Sequence, residues 1–243
     1  MEWADQGIVI GTRRHGETAV IADLMTRTRG RESGLVNGGR GRTLRPVLQP
    51  GNRVNAVWRG RLEEHLGTLR LEPDRLRAAR IMETATGVYA LQTLCSHLRL
   101  LPERDPHPSL FDRFDTVLDV LHDERVAAEA VIRFEMALLD ELGFGLDLSR
   151  CAATGGRENL VHVSPRTGRA VSAEGGGEWA DRLLPLPPFL RPSDGPRADA
   201  APWEELADGF VLTSHFLHRH VWDPRGIAPP PERERLIATV QNP

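Results

Sequence analysis

Up to Pro73 the apolar residues of this chain fall in short runs closed by glycine or charge, and beyond it they recur at spacings of three and four. The first pattern is that of strands and the second that of helices, so β structure precedes α structure. The runs are Gly7–Gly11, Thr18–Met25, Leu44–Leu48, Val54–Trp58 and His65–Leu71. Five short strands with turn signals between them predict a small barrel rather than a βαβ unit. After Pro73, Ile81, Ala85, Val88, Leu91 and Cys95 form one apolar stripe, with Cys95 a small core residue. Leu110, Phe111, Phe114, Val117, Leu118 and Leu121 form a second, introduced by Pro106 and Pro108. Ala127, Val131, Phe134, Leu138 and Leu142 form a third, stopped by Gly143-Phe144-Gly145. Three stripes with short connections predict a helical bundle.

Residues 146–200 break this rhythm with clustered glycine and proline and read as an irregular insert. A last stripe, Trp203, Leu206, Phe210, Ser214, Leu217 and Val221, returns to the bundle, and the tail from Pro229 onward reads as one short, peripheral helix. The expected organisation is an α+β chain. Residues 1–76 form a five-stranded barrel, and 77–243 form a helical domain interrupted by 146–200. An oligonucleotide-binding barrel has this strand count and size, and it holds single strands on one curved face and its loops.

Charge supports that use of the barrel. Between Thr26 and Arg61 lie nine arginines, at 27, 29, 31, 40, 42, 45, 53, 59 and 61, against one acid, Glu32. Residues 1–80 hold 15 bases and 9 acids, a net of +6, and the remainder 16 and 25, a net of −9. A cationic surface on a net-negative chain suits a polyanion. The chain has no lysine, so arginine at a position reports charge rather than a choice between two cations. Arg27, Arg29 and Arg31 would share one side of an extended strand. Arg40, Arg42 and Arg45 lie on or just after the loop Asn37-Gly38-Gly39-Arg40-Gly41, and Arg59 and Arg61 again share a face. Trp58, beside Arg59, is the aromatic best placed to stack on a base.

Signatures of catalysis are missing. The sequence holds no GxxxxGK[ST], HExxH, GxSxG or CxxC. Glu63-Glu64 would point to opposite faces of a strand and clamp a metal poorly. His215 and His218, at i and i+3 on a predicted helix, could share a metal, and a place at a surface or seam is the plainer expectation. We assign no enzyme activity, no cofactor and no metal. No apolar run approaches the ~18 residues that span a bilayer. The acidic start Met1-Glu2-Trp3-Ala4-Asp5 is unlike a signal peptide. Two isolated cysteines, Cys95 and Cys151, fit a reducing, cytoplasmic setting.

Taken in order, Gly7-Ile8-Val9, Gly16-Glu17, Thr26 with Gly30, Gly38-Gly39-Arg40 and Leu48-Gln49-Pro50 resemble the bacterial recombination mediator RecO family. Arg133-Phe134-Glu135, Leu138-Leu139, Glu141-Leu142-Gly143-Phe144 and Leu148-Ser149-Arg150-Cys151 extend the resemblance over roughly the first 175 residues. It implies DNA repair and recombination, through binding of single- and double-stranded DNA and annealing of complementary strands. It also implies action with RecR in loading recombinase onto strands coated by single-strand-binding protein (SSB), in the cytoplasm at the nucleoid. Zinc-bearing members carry two CxxC pairs in the segment matching 151–175. Here those positions read Cys151, Thr154, Ser172 and Gly175, so a metal-free, zinc-ribbon-like remnant is expected.

The DNA-binding residues expected are therefore Arg27, Arg29, Arg31, Arg40, Arg42, Arg45, Arg59 and Arg61. The implied SSB partner ends in an acidic tail with an apolar terminal residue, which needs an apolar pocket beside a cation. Arg133 with Phe134 and Leu138 is the expected receptor, because a guanidinium can donate two parallel bonds to a carboxylate. The competing reading is an adaptor whose basic barrel docks an acidic protein and never touches DNA.

Overall fold

The computed structural model describes residues 1–62, 65–192 and 199–241, and the chain forms two compact units, Met1–His122 and Asp123–Pro243. In the first, β1 (Glu2–His15), β2 (Ala19–Thr26), β3 (Gly30–Val36), β4 (Arg53–Arg59) and β5 (Gly67–Arg75) close into a barrel of order β1-β2-β3-β5-β4. The architecture is the expected five-stranded, oligonucleotide-binding type. A bulge between Val9 and Gly11 bends β1. Its first half can then pair with β4 and its second half with β2. Every pairing is antiparallel except β3–β5, which is parallel and limited to Gly34–Gly67 and Leu35–Thr68. Val9, Leu24, Val54, Trp58 and Leu71 fill the interior.

One strand differs from the sequence expectation. Leu44–Leu48 is not extended: the Arg45 N–H donates to Gly41 O at 3.0 Å and the Leu48 N–H to Leu44 O at 3.0 Å, coiling the segment into turns. The strand in its place is β3, whose inward positions are Gly30, Glu32, Gly34 and Val36. Two glycines and an acid on the core face erase the apolar alternation that marks a strand. Asn52 ends the coiled loop. Its Nδ2 donates to Pro46 O (2.8 Å) and Val47 O (3.3 Å), and its Oδ1 accepts from the N–H groups of Arg77 (2.8 Å) and Ala78 (2.9 Å). A buried amide with both ends satisfied thus ties the loop to the chain leaving β5.

Three helices share this unit: α1 (Ala78–Ile81), α2 (Ala85–Leu98) and α3 (Pro108–Val117). Thr84 caps α2 by accepting from the Gly87 N–H at 3.0 Å, and Cys95 is buried in its core face. Arg53 and Arg77 both pair with Asp115 of α3, at 2.6 and 2.7 Å. Arg77 and Arg75 both pair with Asp119, at 2.7 and 2.9 Å. Arginines that leave the barrel at β4 and β5 are therefore spent on holding α3.

The second unit holds α4 (Glu124–Glu141), β6 (Leu160–Val163), β7 (Ala170–Ser172), α5 (Ala173–Gly176), β8 (Leu184–Pro185), α6 (Trp203–Leu217), α7 (Asp223–Arg225) and α8 (Pro231–Gln241). Helices α4 and α6 pack together, and α8 packs on α6. The insert is more ordered than its composition suggests, since β7-β6-β8 form a small sheet. Among the described residues no helix is long and apolar enough to cross a membrane.

Helix α8 is not peripheral, contrary to the sequence expectation. It buries Leu236, Val240 and Arg233. Arg233 (3% exposed) forks onto Glu135 of α4 (0%), with Nε to Oε1 at 2.7 Å and Nη2 to Oε2 at 2.9 Å. It also donates to the hydroxyls of Ser214 (2.8 Å) and Thr213 (3.0 Å), and lies over the rings of Phe210 and Trp222. One charged side chain near the end of the sequence thus gathers α4, α6 and the turn after α6. Arg233→Ala leaves the Glu135 carboxylate buried without its partner and should cost about 3–5 kcal/mol. Urea denaturation should show that loss. The paired replacement Arg233→Met with Glu135→Leu should lose far less, since no charge is then stranded.

Candidate nucleic-acid interface

The barrel's arginines fall into two groups with different fates. Arg27 and Arg29 sit in the turn between β2 and β3, so the expected extended stretch with Arg31 is broken. The turn is built by Thr26, whose Oγ1 donates to Gly30 O at 2.8 Å, and by Asp5, which accepts from the Thr28 N–H and Oγ1 at 2.8 Å each. Each of the three arginines faces an acid, and Glu32 is shared with Arg104. Arg27 pairs with Asp112 at 3.1 Å, Arg29 with Glu32 at 3.5 Å, and Arg31 with Glu103 at 3.6 Å. Arg29 also lies over the Trp3 ring at 5.3 Å. A phosphate arriving at this turn must displace carboxylates already in place.

The other group surrounds the loop after β3. Gly38, at φ +66°, turns the chain, and a Cβ on Gly39 would come within 2.5 Å of a Val20 methyl. Glycine there lets the loop lie against the β1–β2 hairpin. The Arg40 N–H donates to Thr18 O at 3.1 Å, and its guanidinium donates to Glu17 O. The result is a cleft of about 310 Å³ lined by Thr12, Arg14, Arg40, Arg45 and Gln49 among others, with no carboxylate in its wall. Arg13, Arg14, Arg42 and Arg45 are exposed. None forms an ion pair among the described residues. Of the eight arginines expected from sequence, the structure brings Arg40, Arg42 and Arg45 to this loop. Arg13 and Arg14 were missed. Their signal was the adjacent pair itself, lying outside the cluster that drew attention, and only strand pairing carries the hairpin to the loop.

Arg59 ends β4 and pairs with Glu2 at 2.9 Å, with both side chains well exposed. Arg61 is exposed in the bend that follows. Trp58 cannot stack on a base. It is 1% exposed, and Cβ atoms on Gly34, Gly60 and Gly67 would lie 3.3, 2.4 and 2.3 Å from its ring. The alternation of β4 sends Trp58 inward and Arg59 outward.

In the second unit, the receptor expected at Arg133 does not open. Phe134 and Leu138 are 1% and 0% exposed. Arg133 donates to Glu129 Oε1 at 2.8 Å and to Phe189 O at 2.6 Å. The stripe carrying Phe134 and Leu138 is core, and the exposed apolar surface lies elsewhere. A cleft of about 790 Å³ between α6 and α8 is lined by Phe210, Val211 and Ile237 beside His218 and Arg219. His215 and His218 point to different partners, Pro165 O at 3.0 Å and Asp223 Oδ1 at 3.1 Å. Glu63 and Glu64 lie outside the described residues. Among the described residues no three His, Cys, Asp or Glu side chains converge as a metal site.

The four positions 151, 154, 172 and 175 do converge, around sulfur. Cys151 Sγ accepts from Ser172 N–H (3.2 Å), Ser172 Oγ (3.3 Å) and Thr154 N–H (3.4 Å), while the Gly175 N–H donates to Ser172 Oγ at 3.1 Å. A Cβ on Gly175 would sit 2.7 Å from the sulfur. One thiolate, two hydroxyls and a glycine do not fit a tetrahedral structural zinc. Hydrogen-bond donors occupy the directions that ligands would need. Burial pushes the Cys151 thiol up, but the donors from Ser172 and Thr154 outweigh it and bring the pKa down to about 6.

Comparison with known proteins matches residues 1–73 to the family model "Recombination protein O N terminal" and residues 82–226 to "Recombination protein O C terminal". Proteins named DNA repair protein RecO are similar over nearly the whole chain. That of Rhizobium etli is 56% identical over 237 residues, 98% of this chain and 91% of its own. That of Mesorhizobium japonicum is 54% identical over 241 residues, 99% and 94%. That of Agrobacterium fabrum is 56% identical over 227 residues, 93% and 88%.

The sulfur node predicts a pH signature. A thiol whose pKa is depressed on folding stabilises fully above its unfolded pKa of about 8.5, and the contribution fades as pH falls towards about 6. The stability difference between the wild type and Cys151→Ser should therefore grow from pH 6 to 8.5. Thiolate absorbance in the native protein should titrate near 6 and vanish in Cys151→Ser, because burial holds Cys95 up at about 12.

Proposed function

Because the chain belongs to the RecO family of DNA repair proteins, we propose that it binds single- and double-stranded DNA without reading sequence and anneals complementary strands. In this reading it works with RecR to help load recombinase onto SSB-coated strands, by binding alone and without turnover. It would do so in the cytoplasm, at the nucleoid. The carrying observation is the acid-free cleft with Arg14, Arg40 and Arg45 in its wall, and exposed Arg42 on the same glycine-rich loop of the barrel. Phosphate contacts position a strand without reading it, which is what an annealer requires. Arg29 stays with the buried Glu32. Arg27, Arg31 and Arg59 add secondary contacts, reached by displacing the exposed carboxylates of Asp112, Glu103 and Glu2, and Arg61 adds one more. Ion pairs of that exposure are worth about 0–1 kcal/mol, so a backbone phosphate can replace the acid.

For the SSB tail, the same reading places the apolar end in the α6–α8 cleft, with Arg219 facing its acids and His218 held by Asp223 in the same wall. Exposed Val211 is the residue to test. Val211→Glu should abolish binding of a tail peptide by fluorescence anisotropy, while Arg133→Ala, bonded within its own unit, should change it little.

The DNA reading is tested by affinity across salt. Each phosphate contact to a single strand contributes about 0.7 to the slope of log affinity against log salt. Arg40→Ala with Arg45→Ala should lower the slope's magnitude by about 1.4 and slow annealing of SSB-coated strands. Arg27→Ala, which removes an already paired arginine, should move the slope by less than half as much. An unchanged slope in the folded double variant would place the strand elsewhere. Failure of unlabelled oligonucleotide to compete for an acidic protein partner would favour the adaptor.

A further inference from the structure

The loop between β3 and β4 has a second wall. Gly39, Arg40, Arg45, Leu48 and Gln49 line the cationic cleft, while Val36, Asn37 and Leu44 line a groove of about 640 Å³ on the other side. The groove exists because β3 and β5 pair through only two residues. Beyond them the coiled loop, rather than a strand, flanks β5. Its remaining walls come from outward positions of β4 and β5, with Val57 opposite Arg70 and Asn55 opposite Glu72.

The chemistry of this groove differs from that of the cleft. Asn37 and Asn55 are exposed, and their amides make no hydrogen bond among the described residues. Leu44 and Val57 are half-buried and supply an apolar floor. Arg59 and Arg70 stand at the rim, each steadied by an exposed carboxylate, Glu2 at 2.9 Å and Glu72 at 3.2 Å. An amide carries a donor and an acceptor side by side, which matches the edge of a nucleobase. Guanidinium planes and apolar side chains suit its face. A phosphate alone would gain little from amides, and in a duplex the Watson–Crick edge is already engaged and the bases are stacked away from a groove on the protein surface.

We propose that this groove seats an unpaired base of the strand whose backbone occupies the neighbouring cationic cleft, with Asn37 and Asn55 bonding its edge. The proposal rests on the DNA reading above and adds to it a preference for base-bearing single strands. Because the two amides can present either donor or acceptor, the seat tolerates different bases. The strand crosses the loop, with phosphate on one side and base on the other.

The test uses the full-length chain with three labelled probes: a thymidine homopolymer, an abasic phosphodiester of the same length, and a duplex. The wild type should bind the homopolymer about tenfold more tightly than the abasic strand, the discrimination that one good pair of base-edge bonds gives. Asn37→Ala with Asn55→Ala should reduce that preference to about twofold or less, leaving abasic and duplex affinities unchanged. Both residues are exposed and unbonded, so the thermal midpoint should hold, and each single variant should fall between. A wild type that binds both strands equally, or a double variant that keeps the preference, overturns the base seat. Absence of binding to all three probes would instead overturn the DNA reading beneath it.

Discussion

The barrel depends on where Trp58 is put. Its indole fills the point at which β3 meets β5, and the paired residues Gly34 and Gly67 leave the space it occupies, with Gly60 closing a third side. A Cβ at Gly60 or Gly67 would collide with the ring, and one at Gly34 with Leu69 beside it, so closure and tryptophan burial are one event. The parallel contact stays short for the same reason. Two residues suffice to seal the ring, after which the chain is free to coil. That freedom produces the loop from Asn37 to Gly51, and the loop forms one wall of each cleft. A core packing constraint thus determines where polar and cationic chemistry can gather on the surface.

Charge is then sorted by whether a carboxylate can reach it. With no lysine in the chain, the same side chain serves as strut and as ligand, and surroundings alone separate the two. Arg53, Arg75 and Arg77 meet Asp115 and Asp119 and become fasteners for α3. The turn arginines meet Asp112, Glu32 and Glu103. The hairpin and loop arginines meet none of these, because the β1–β2 turn and the coiled loop carry few acids. Glu17 offers Arg40 its carbonyl rather than its carboxylate. Net positive charge in a sequence window therefore overstates the free charge, and tertiary pairing decides the remainder.

Much of this was legible in the sequence, and the failures share one cause. The change of period at Pro73, the helical stripes and the return of α6 to α4 followed from apolar spacing. Strand β3 did not, because its core face reads Gly30, Glu32, Gly34 and Val36, and Glu32 is buried against arginines no local pattern announces. Leu44–Leu48 looked like a strand because a short apolar run has no period of its own. Phe134 and Leu138 were rightly placed on an apolar stripe, yet that membership is what excludes them from an open receptor. Spacing tells which residues share a face, but not whether the face is covered.

The segment around Cys151 shows the same logic at four positions that converge on one sulfur. A structural zinc can contribute about 10–16 kcal/mol to a small module, so a chain that keeps the shape without the metal must find its stability elsewhere. Three hydrogen bonds to a thiolate, at about 1.5–3 kcal/mol each, fall short of the upper part of that range. The difference is met by burial. Leu160, Val163, Val171 and Leu186 are buried in the small sheet or just beyond its last strand, and a buried aliphatic side chain of this size is worth about 1.5–3 kcal/mol. The retained sulfur then organises rather than anchors. It gives the N–H groups of Thr154 and Ser172 an anionic acceptor and keeps Gly175 the only residue that fits against it. In this chain positions 151, 154, 172 and 175 form a turn-forming node around sulfur, within a module held by packing.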